Sequence, residues 1–348
     1  MSYKIINFDI PYHTAGKNRE FCIEYNNIYI HNKEGDECII DAFHNRKKVI
    51  SGIDKHFQMT GNTSVIYDDN ITDSNELFDI YEKDPSFLLY DTAAVNYIHF
   101  FFCFFGRCYY YDQLTKNNKI KLYIPEQLYK DSGKYDFIKQ WLSLYYENLD
   151  IYILKTNTRY KFKNLILSNS FYNFPQPSGY DVIYPMIRKV VDKIPADESL
   201  KNKGVYISRQ DTIKRGWYHN RVLLNELELI DKIKTKLNYD IIELMDYNMT
   251  DKIKIFKSYK TIVQQSSASV VGILFSNKTT NHIILEHPKM NWWLTPKCKE
   301  FSNFTKSTLI TVEGFGELVQ SEKQVDDNNY PWKLIELDYL IDNISTTM

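Results

Sequence analysis

The chain has 348 residues, more than one hydrophobic core of the usual size, so two domains plus an accessory segment are expected. Hydrophobic residues make up 43% and charged residues 25%, and a formal net charge of −1 supplies no strong field toward nucleic acid or a membrane surface. Nucleic-acid binding is therefore not expected, and function has to reside in local sites.

The excess of 28 Tyr and 20 Phe has two readings. Aromatic rings suit the apolar C–H faces of sugars, whereas a chain also rich in Asn, Lys and Ile is what an AT-rich genome, such as that of a giant virus or a protist, imposes on any protein. The five cysteines, Cys22, Cys38, Cys103, Cys108 and Cys298, form neither a CxxC pair nor a zinc-ligand series. Their odd number speaks against a full disulfide framework and predicts a reducing, cytoplasmic setting. The opening residues have no signal-peptide apolar core, and the most apolar run, Ile98 to Phe105, is far shorter than a membrane span.

From Phe21 to Ile53, short apolar runs such as Cys22 to Tyr25 and Ile28 to Ile30 are separated by Asn-Asn and Lys-Glu-Gly-Asp, which predicts hairpins in a small β-rich N-terminal segment, residues 1–70. Ile66 to Pro85 is acidic and Asn-rich and reads as a surface loop with a short helix. A helix is predicted from Thr92 to Leu114, a strand from Ile120 to Ile124, a helix from Tyr135 to Tyr146, and strands at Ile151 to Leu154 and Leu165 to Leu167. Such alternation implies a parallel sheet in a lobe spanning residues 71–197. After a turn at Phe174 to Gly179, a helix from Asp181 to Lys193 leads to the expected linker, Ile194 to Glu198.

The second lobe, residues 198–320, opens with the strand Gly204 to Ser208 and a helix from Asn225 to Leu237. Strands at Ile241 to Leu244, Thr261 to Gln264 and Ile283 to Leu285 alternate with helices at Met249 to Lys257 and from Ser269 to Phe275, the pattern of a doubly wound nucleotide-binding domain. The tail, residues 321–348, is expected to close with a helix from Tyr330 to Ile344.

Three places in the second lobe carry residues suited to chemistry. Ser208-Arg209 puts a hydroxyl and a fixed cation at the carboxyl end of a strand, where open α/β sheets bind ligands; the guanidinium fork either grips two phosphate oxygens or makes an ordinary surface ion pair. Arg221 precedes Asn225-Glu226, which sit where a helix begins; Asn225 is either an N-cap or a site residue, and Glu226 suits the helix dipole. Ser266-Ser267-Ala268-Ser269 joins a strand to an apolar helix through small residues, which serves either a phosphate contact or a tightly packed corner.

In order, Tyr206-Ile207-Ser208-Arg209, then Arg221 with Asn225-Glu226, then Ile262 to Phe275, then Ile284-Leu285-Glu286-His287-Pro288 resemble the donor lobe of glycosyltransferase family 61. In the first lobe Asn96-Tyr97-Ile98-His99 followed by Arg107 is similar to that family's Asn-Tyr-x-His segment and later Pro-Arg, so the resemblance covers residues 90 to 290. This chain has Ser266 to Ser269 where the family reads His-Gly-Ala-Gly, Cys103 where an acidic residue often follows the His, and Gly106 in place of Pro.

The resemblance implies a GT-B fold, two Rossmann-like lobes facing across a cleft, and inverting transfer from a nucleotide sugar to a glycan or glycoprotein acceptor, with no cofactor and no obligatory metal. It implies donor contacts from Ser208, Arg209, Arg221, Asn225, Glu226, Ser266, Ser267, Ala268, Ser269 and Glu286, and a general base in His99. His99 beside Phe100, Phe101 and Phe102 is equally suited to a packed core. The paired acids Asp68-Asp69 and Asp326-Asp327 lie in polar stretches rather than at strand ends, which disfavours a metal-dependent GT-A enzyme. The alternative from another class is a non-catalytic binder of glycans or nucleotide sugars on the same fold.

Overall fold

The computed structural model describes residues 3–7, 21–33, 39–44, 47–50, 66–67, 78–91, 94, 96–129, 136–168, 180–210, 214, 222–289, 291–313, 315–318 and 331–346. Contacts divide the chain into two units, Met1–Met186 and Ile187–Met348, each with its own main sheet.

The first unit holds strands β1 (Tyr3–Asn7), β2 (Phe21–Lys33), β3 (Ile39–His44), β4 (Lys47–Ile50), β5 (Ile66–Tyr67), β6 (Ile80–Glu82), β7 (Ser86–Leu88), β8 (Lys121–Pro125), β9 (Ile151–Leu154) and β10 (Thr158–Ser168). They form one mixed sheet in the order β5-β4-β3-β2-β10-β7-β8-β9, with β1 on β2 and β6 on β10. The expected parallel part is present, since β6 and β7 both run parallel to β10 and β7, β8 and β9 are parallel in turn. The expected hairpin at Asn26-Asn27 is not: Phe21–Lys33 is a single strand. Antiparallel pairing with β10, in which Asn26 faces Asn164, overrides the local turn preference of the asparagines. Ile80–Glu82 is likewise a strand rather than part of a loop and short helix, while residues 68–77 lie outside the described ones.

The apolar run after Asn96 is helical. The Asn96 side chain accepts the Ile98 N–H at 3.1 Å, opening a turn at Tyr97–His99 that widens into a π-helical stretch, Phe100–Phe104, tightens at Phe105–Arg107 and continues as α1 (Cys108–Thr115). Every residue from Phe100 to Phe105 is buried. Phe101 meets Trp141 edge-on at 4.7 Å and Phe105 meets Tyr145 at 4.9 Å, both on α2 (Asp136–Tyr145), so these rings form core rather than a sugar platform. Helix α3 (Tyr180–Val191) spans the division between the units.

The second unit is a parallel sheet of β11 (Gly204–Ser208), β12 (Asp240–Glu243), β13 (Thr261–Gln265), β14 (Asn281–Leu285) and β15 (Thr308–Val312), ordered β12-β11-β13-β14-β15. The second strand of the unit lies on one side of the first and the third on the other, so the winding reverses between β11 and β13. Between strands run α4 (Glu226–Lys232), extended by a π turn at Ile233–Leu237, then α5 (Met249–Ser258), a 3₁₀ helix at Ala268–Phe275, and α6 (Asn291–Thr305). Where one closing helix was expected, the chain forms β17 (Trp332–Leu334), paired with β16 (Gly316–Leu318), and then α7 (Leu337–Thr346). Trp332 also bridges to Leu223, so pairing partners on both sides hold this stretch extended.

Side chains alternate along these strands. Tyr206, Val263, Ile283 and Leu285 join Leu229, Ile233, Trp332, Leu337, Leu340 and Ile341 in one core. Val205, Ile207, Ile262, Gln264, His282 and Ile284 face the opposite way by period two and are buried as well. Gly272 lets the 3₁₀ helix close onto α5, because a Cβ there would run into the Phe256 ring. Among the described residues, no helix is long and apolar enough to cross a membrane.

Candidate functional site

The carboxyl ends of β11 and β13, where the winding reverses, are where an open α/β sheet leaves a crevice. At the end of β11, Ser208 is buried, its hydroxyl accepts the Gln210 N–H at 3.1 Å, and Arg209 follows at the rim, half-buried. The anchor of this corner is Glu226, in the first turn of α4 and 1% exposed. Its Oε1 accepts the Tyr206 hydroxyl at 3.0 Å and the Arg209 N–H at 2.9 Å, and its Oε2 accepts the Gln210 side-chain amide at 2.8 Å. Gln265, at the end of β13, donates to the Tyr206 hydroxyl at 3.0 Å. Burial, reinforced by the Glu226 charge, pushes the Tyr206 phenol well above its ordinary range, so it stays a donor to the carboxylate.

Across the reversal, the Ser266 N–H donates to the Leu285 carbonyl at 2.9 Å. Ser267 is extended, with φ −155°, and caps the 3₁₀ helix by accepting the Ser269 N–H. The hydroxyls of Ser267 and Ser269 are 2.7 Å apart, and that of Ser269 donates to Gln264 Oε1 at 2.8 Å. Neither Ser267 nor Ser269 has a positive φ, so this backbone needs no glycine at either place. At the start of the 3₁₀ helix the Ser269 N–H is taken by the Ser267 hydroxyl and the Val270 N–H by the Ser267 carbonyl, while the Ala268 N–H has no intrahelical carbonyl to bind, which is what suits the turn to an anion. Gln264 Nε2 is buried beneath it without a partner.

Glu286 follows β14, with its N–H on the Val312 carbonyl at 3.3 Å. The Thr295 hydroxyl donates to its Oε1, while Oε2 is buried and unpartnered. Burial pushes the carboxyl above its ordinary range, against the lowering effect of the Thr295 hydrogen bond and with Glu313 adding a like charge.

The structure therefore brings Ser208, Arg209 and Glu226 together, links them through Tyr206 and Gln265 to the strand that carries Ser266, Ser267, Ala268 and Ser269, and sets Glu286 at the end of the next strand. Asn225 departs from the helix-cap expectation. With φ −104° and ψ 30° it makes no cap bond; its side chain donates to the Leu334 carbonyl at 2.8 Å and accepts the Leu334 N–H at 2.9 Å, fastening β17. Arg221 lies outside the described residues. Tyr206, Gln210 and Gln265 were not singled out from the sequence, although Tyr206 shares a face of β11 with Ser208 by simple alternation.

In the first unit His99 is half-buried, with Nδ1 3.5 Å from the Cys103 sulfur. Arg107 is fully buried; it donates to the carbonyls of Cys103 at 3.0 Å and Ser168 at 2.6 Å and pairs with Asp91 at 2.8 Å. It ties the helical run to the end of β10. Among the described residues, no group of three or more His, Cys, Asp and Glu side chains is placed to hold a metal ion.

The second unit is a Rossmann-like α/β domain with a polar, anion-suited corner at its reversal point. The chain belongs to glycosyltransferase family 61, whose profile matches residues 97–283, from the helical run of the first unit into β14 of the second. No curated protein matches it by sequence.

Proposed function

We propose that the protein transfers a sugar from a nucleotide-diphosphate sugar, a UDP-sugar in the favoured case, to a hydroxyl of a glycan or glycoprotein acceptor, with inversion and without an obligatory metal, as a GT-B enzyme. The observation that carries this reading is the Glu226-anchored Arg209 at the carboxyl end of β11, one strand from the Ser266–Ser269 turn. In the reaction an acceptor oxygen gives its proton to a base, attacks the anomeric carbon, and the bond to the diphosphate breaks, leaving that group with added negative charge. Arg209 and the N–H groups of the turn meet this charge. Glu286 is suited to a ribose or sugar hydroxyl. His99 is the proposed base, since an ordinary imidazole accepts a proton near neutral pH.

A second reading, a glycan or nucleotide-sugar binder without turnover, draws support from the turn itself. Ser267 and Ser269 spend their hydroxyls on each other and on Gln264, and the turn carries no imidazole. A thermal-shift and turnover screen across UDP-, GDP- and CMP-sugars separates the two. Stabilisation by one nucleotide class with donor consumption in the presence of acceptor glycans supports transfer; stabilisation without consumption supports the binder; no response to any nucleotide sugar removes both.

A further inference from the structure

The outer side of β6 and β10 in the first unit has a composition that the transfer chemistry does not use. Along β10, Tyr160 and Phe162 are buried while Arg159, Lys161 and Lys163 point the other way, Arg159 and Lys163 being exposed. Alternate residues of a strand stand about 7 Å apart, so the three cations form a row. Beside them, Tyr81 pairs in register with Lys161. Tyr81 and Phe78 are each 40% exposed, with ring centroids 5.8 Å apart, and the Lys161 ammonium lies 5.3 Å from the Phe78 ring and 5.8 Å from that of Tyr81. Lys83, also exposed, follows Tyr81 by two residues.

Cations outnumber acids here among the described residues: beside Lys83, Arg159, Lys161 and Lys163 stand Asp79, which accepts the Arg159 N–H at 2.8 Å, and Asp84, which pairs with Lys121. Among the described residues neither Lys83, Arg159 nor Lys163 has an acidic side-chain partner, whereas Lys201, Lys214, Lys236 and Lys254 of the second unit all do. An ordinary solvated sheet face carries mixed charge and few large rings. Two exposed rings beside a row of cations present apolar faces for sugar C–H groups and charges for the acids those sugars bear.

We infer that this side of the sheet binds an acidic oligosaccharide, a chain of uronic acid type, with Phe78 and Tyr81 against its sugar rings and Lys83, Arg159 and Lys163 on its carboxylates. As an account of which acceptor the enzyme takes, this rests on the transfer reading; as a binding site it stands apart from it. No covalent step occurs here.

The test is calorimetry of the full chain with an oligogalacturonate hexamer, with cellohexaose as the neutral control of equal length, and with a single-stranded oligonucleotide and phosphatidylserine vesicles as other anionic partners. The galacturonate binds, more weakly as salt rises, and cellohexaose does not. Arg159→Gln/Lys163→Gln and, separately, Tyr81→Ala lower that affinity by about tenfold or more, with the melting temperature and the response to nucleotide sugars unchanged. Equal binding of cellohexaose, preference for the oligonucleotide or the vesicles, or unaltered affinity in both variants overturns the inference. A nucleotide-sugar response without galacturonate binding defeats this inference alone, and galacturonate binding lost in both variants without any nucleotide-sugar response defeats the transfer reading alone.

Discussion

Glu226 holds Arg209 by its main chain: the Arg209 N–H donates to Glu226 Oε1 at 2.9 Å, so the residue is fixed at the sheet edge whatever its guanidinium does. Arg209→Ala should therefore keep the main chain in place at the sheet edge, and the change that tests the proposed donor site is in diphosphate binding. UDP binding, or that of whichever nucleotide proves active, should weaken roughly ten- to a hundredfold, as expected for a charge-assisted hydrogen bond of about 1.5–3 kcal/mol. The bare nucleoside should bind as before. Titration calorimetry of both ligands decides it, and equal losses for the two would point to a structural role for Arg209.

Glu226→Ala should behave differently, because it strands three donors, the Tyr206 hydroxyl, the Arg209 N–H and the Gln210 amide. Of these the Tyr206 hydroxyl is buried, and a buried, unsatisfied group costs about 1–3 kcal/mol, so urea denaturation should show a clear loss of stability. Glu226→Gln, which keeps one acceptor oxygen, should lose less. A variant as stable as the wild type would mean that water replaces the carboxylate at no cost.

Gly272→Ala adds a methyl group where the Phe256 ring already lies. Overpacking of this kind costs about 1–3 kcal/mol, and a smaller side chain at position 256 should recover part of it. The double-mutant cycle in denaturant measures that coupling, and simple additivity would dismiss the contact as the cause.

His282 is fully buried with both ring nitrogens unpartnered, and burial lowers its pKa from 6.5 to about 3. Between those values the unfolded chain binds the proton that the folded chain refuses. Stability from this group is thus complete above about pH 6.5 and is lost on acidification toward about pH 3, with a slope of up to about 1.4 kcal/mol per pH unit. Glu286, whose carboxyl is raised, works in the opposite sense above the ordinary carboxylate range. His282→Leu should flatten the acid limb of a stability–pH curve; an unchanged limb would place the sensitivity in other groups.

If Arg209 and backbone N–H groups meet the leaving-group charge, donor turnover should survive EDTA. Complete loss on chelation, restored by Mn²⁺ or Mg²⁺, would replace that part of the mechanism and leave the fold assignment intact.

The strands of the second unit were legible because runs such as Gly204 to Ser208 and Thr261 to Gln265 are short, apolar and bounded by turn residues. What escaped depended on distant partners. Asn26-Asn27 reads locally as a turn and becomes strand only against β10, and Trp332–Leu334 becomes strand only against β16 and Leu223. Pro296 in the interior of α6 disguised that helix, whereas Thr308–Val312, four of whose five residues are β-branched, carries a strand signal of its own. At the site, Ser208, Arg209 and Glu226 stood out as sequence positions. That Glu226 is a buried anchor did not, since its partners Tyr206 and Arg209 precede it by 20 and 17 residues and meet it only in three dimensions.

The pair of bonds between Asn225 and Leu334 joins residues 109 positions apart. During synthesis at about 5–20 residues per second, roughly 5–20 s separate the two from each other at the ribosome. For that interval the helix bearing Glu226 exists without β17 and α7, which supply Trp332, Leu337, Leu340 and Ile341 to its core. Until then Leu229 and Ile233 share a core with Tyr206, Val263 and Ile283 that lacks those four side chains, so the packing of the second unit is complete only once β17 and α7 have been made.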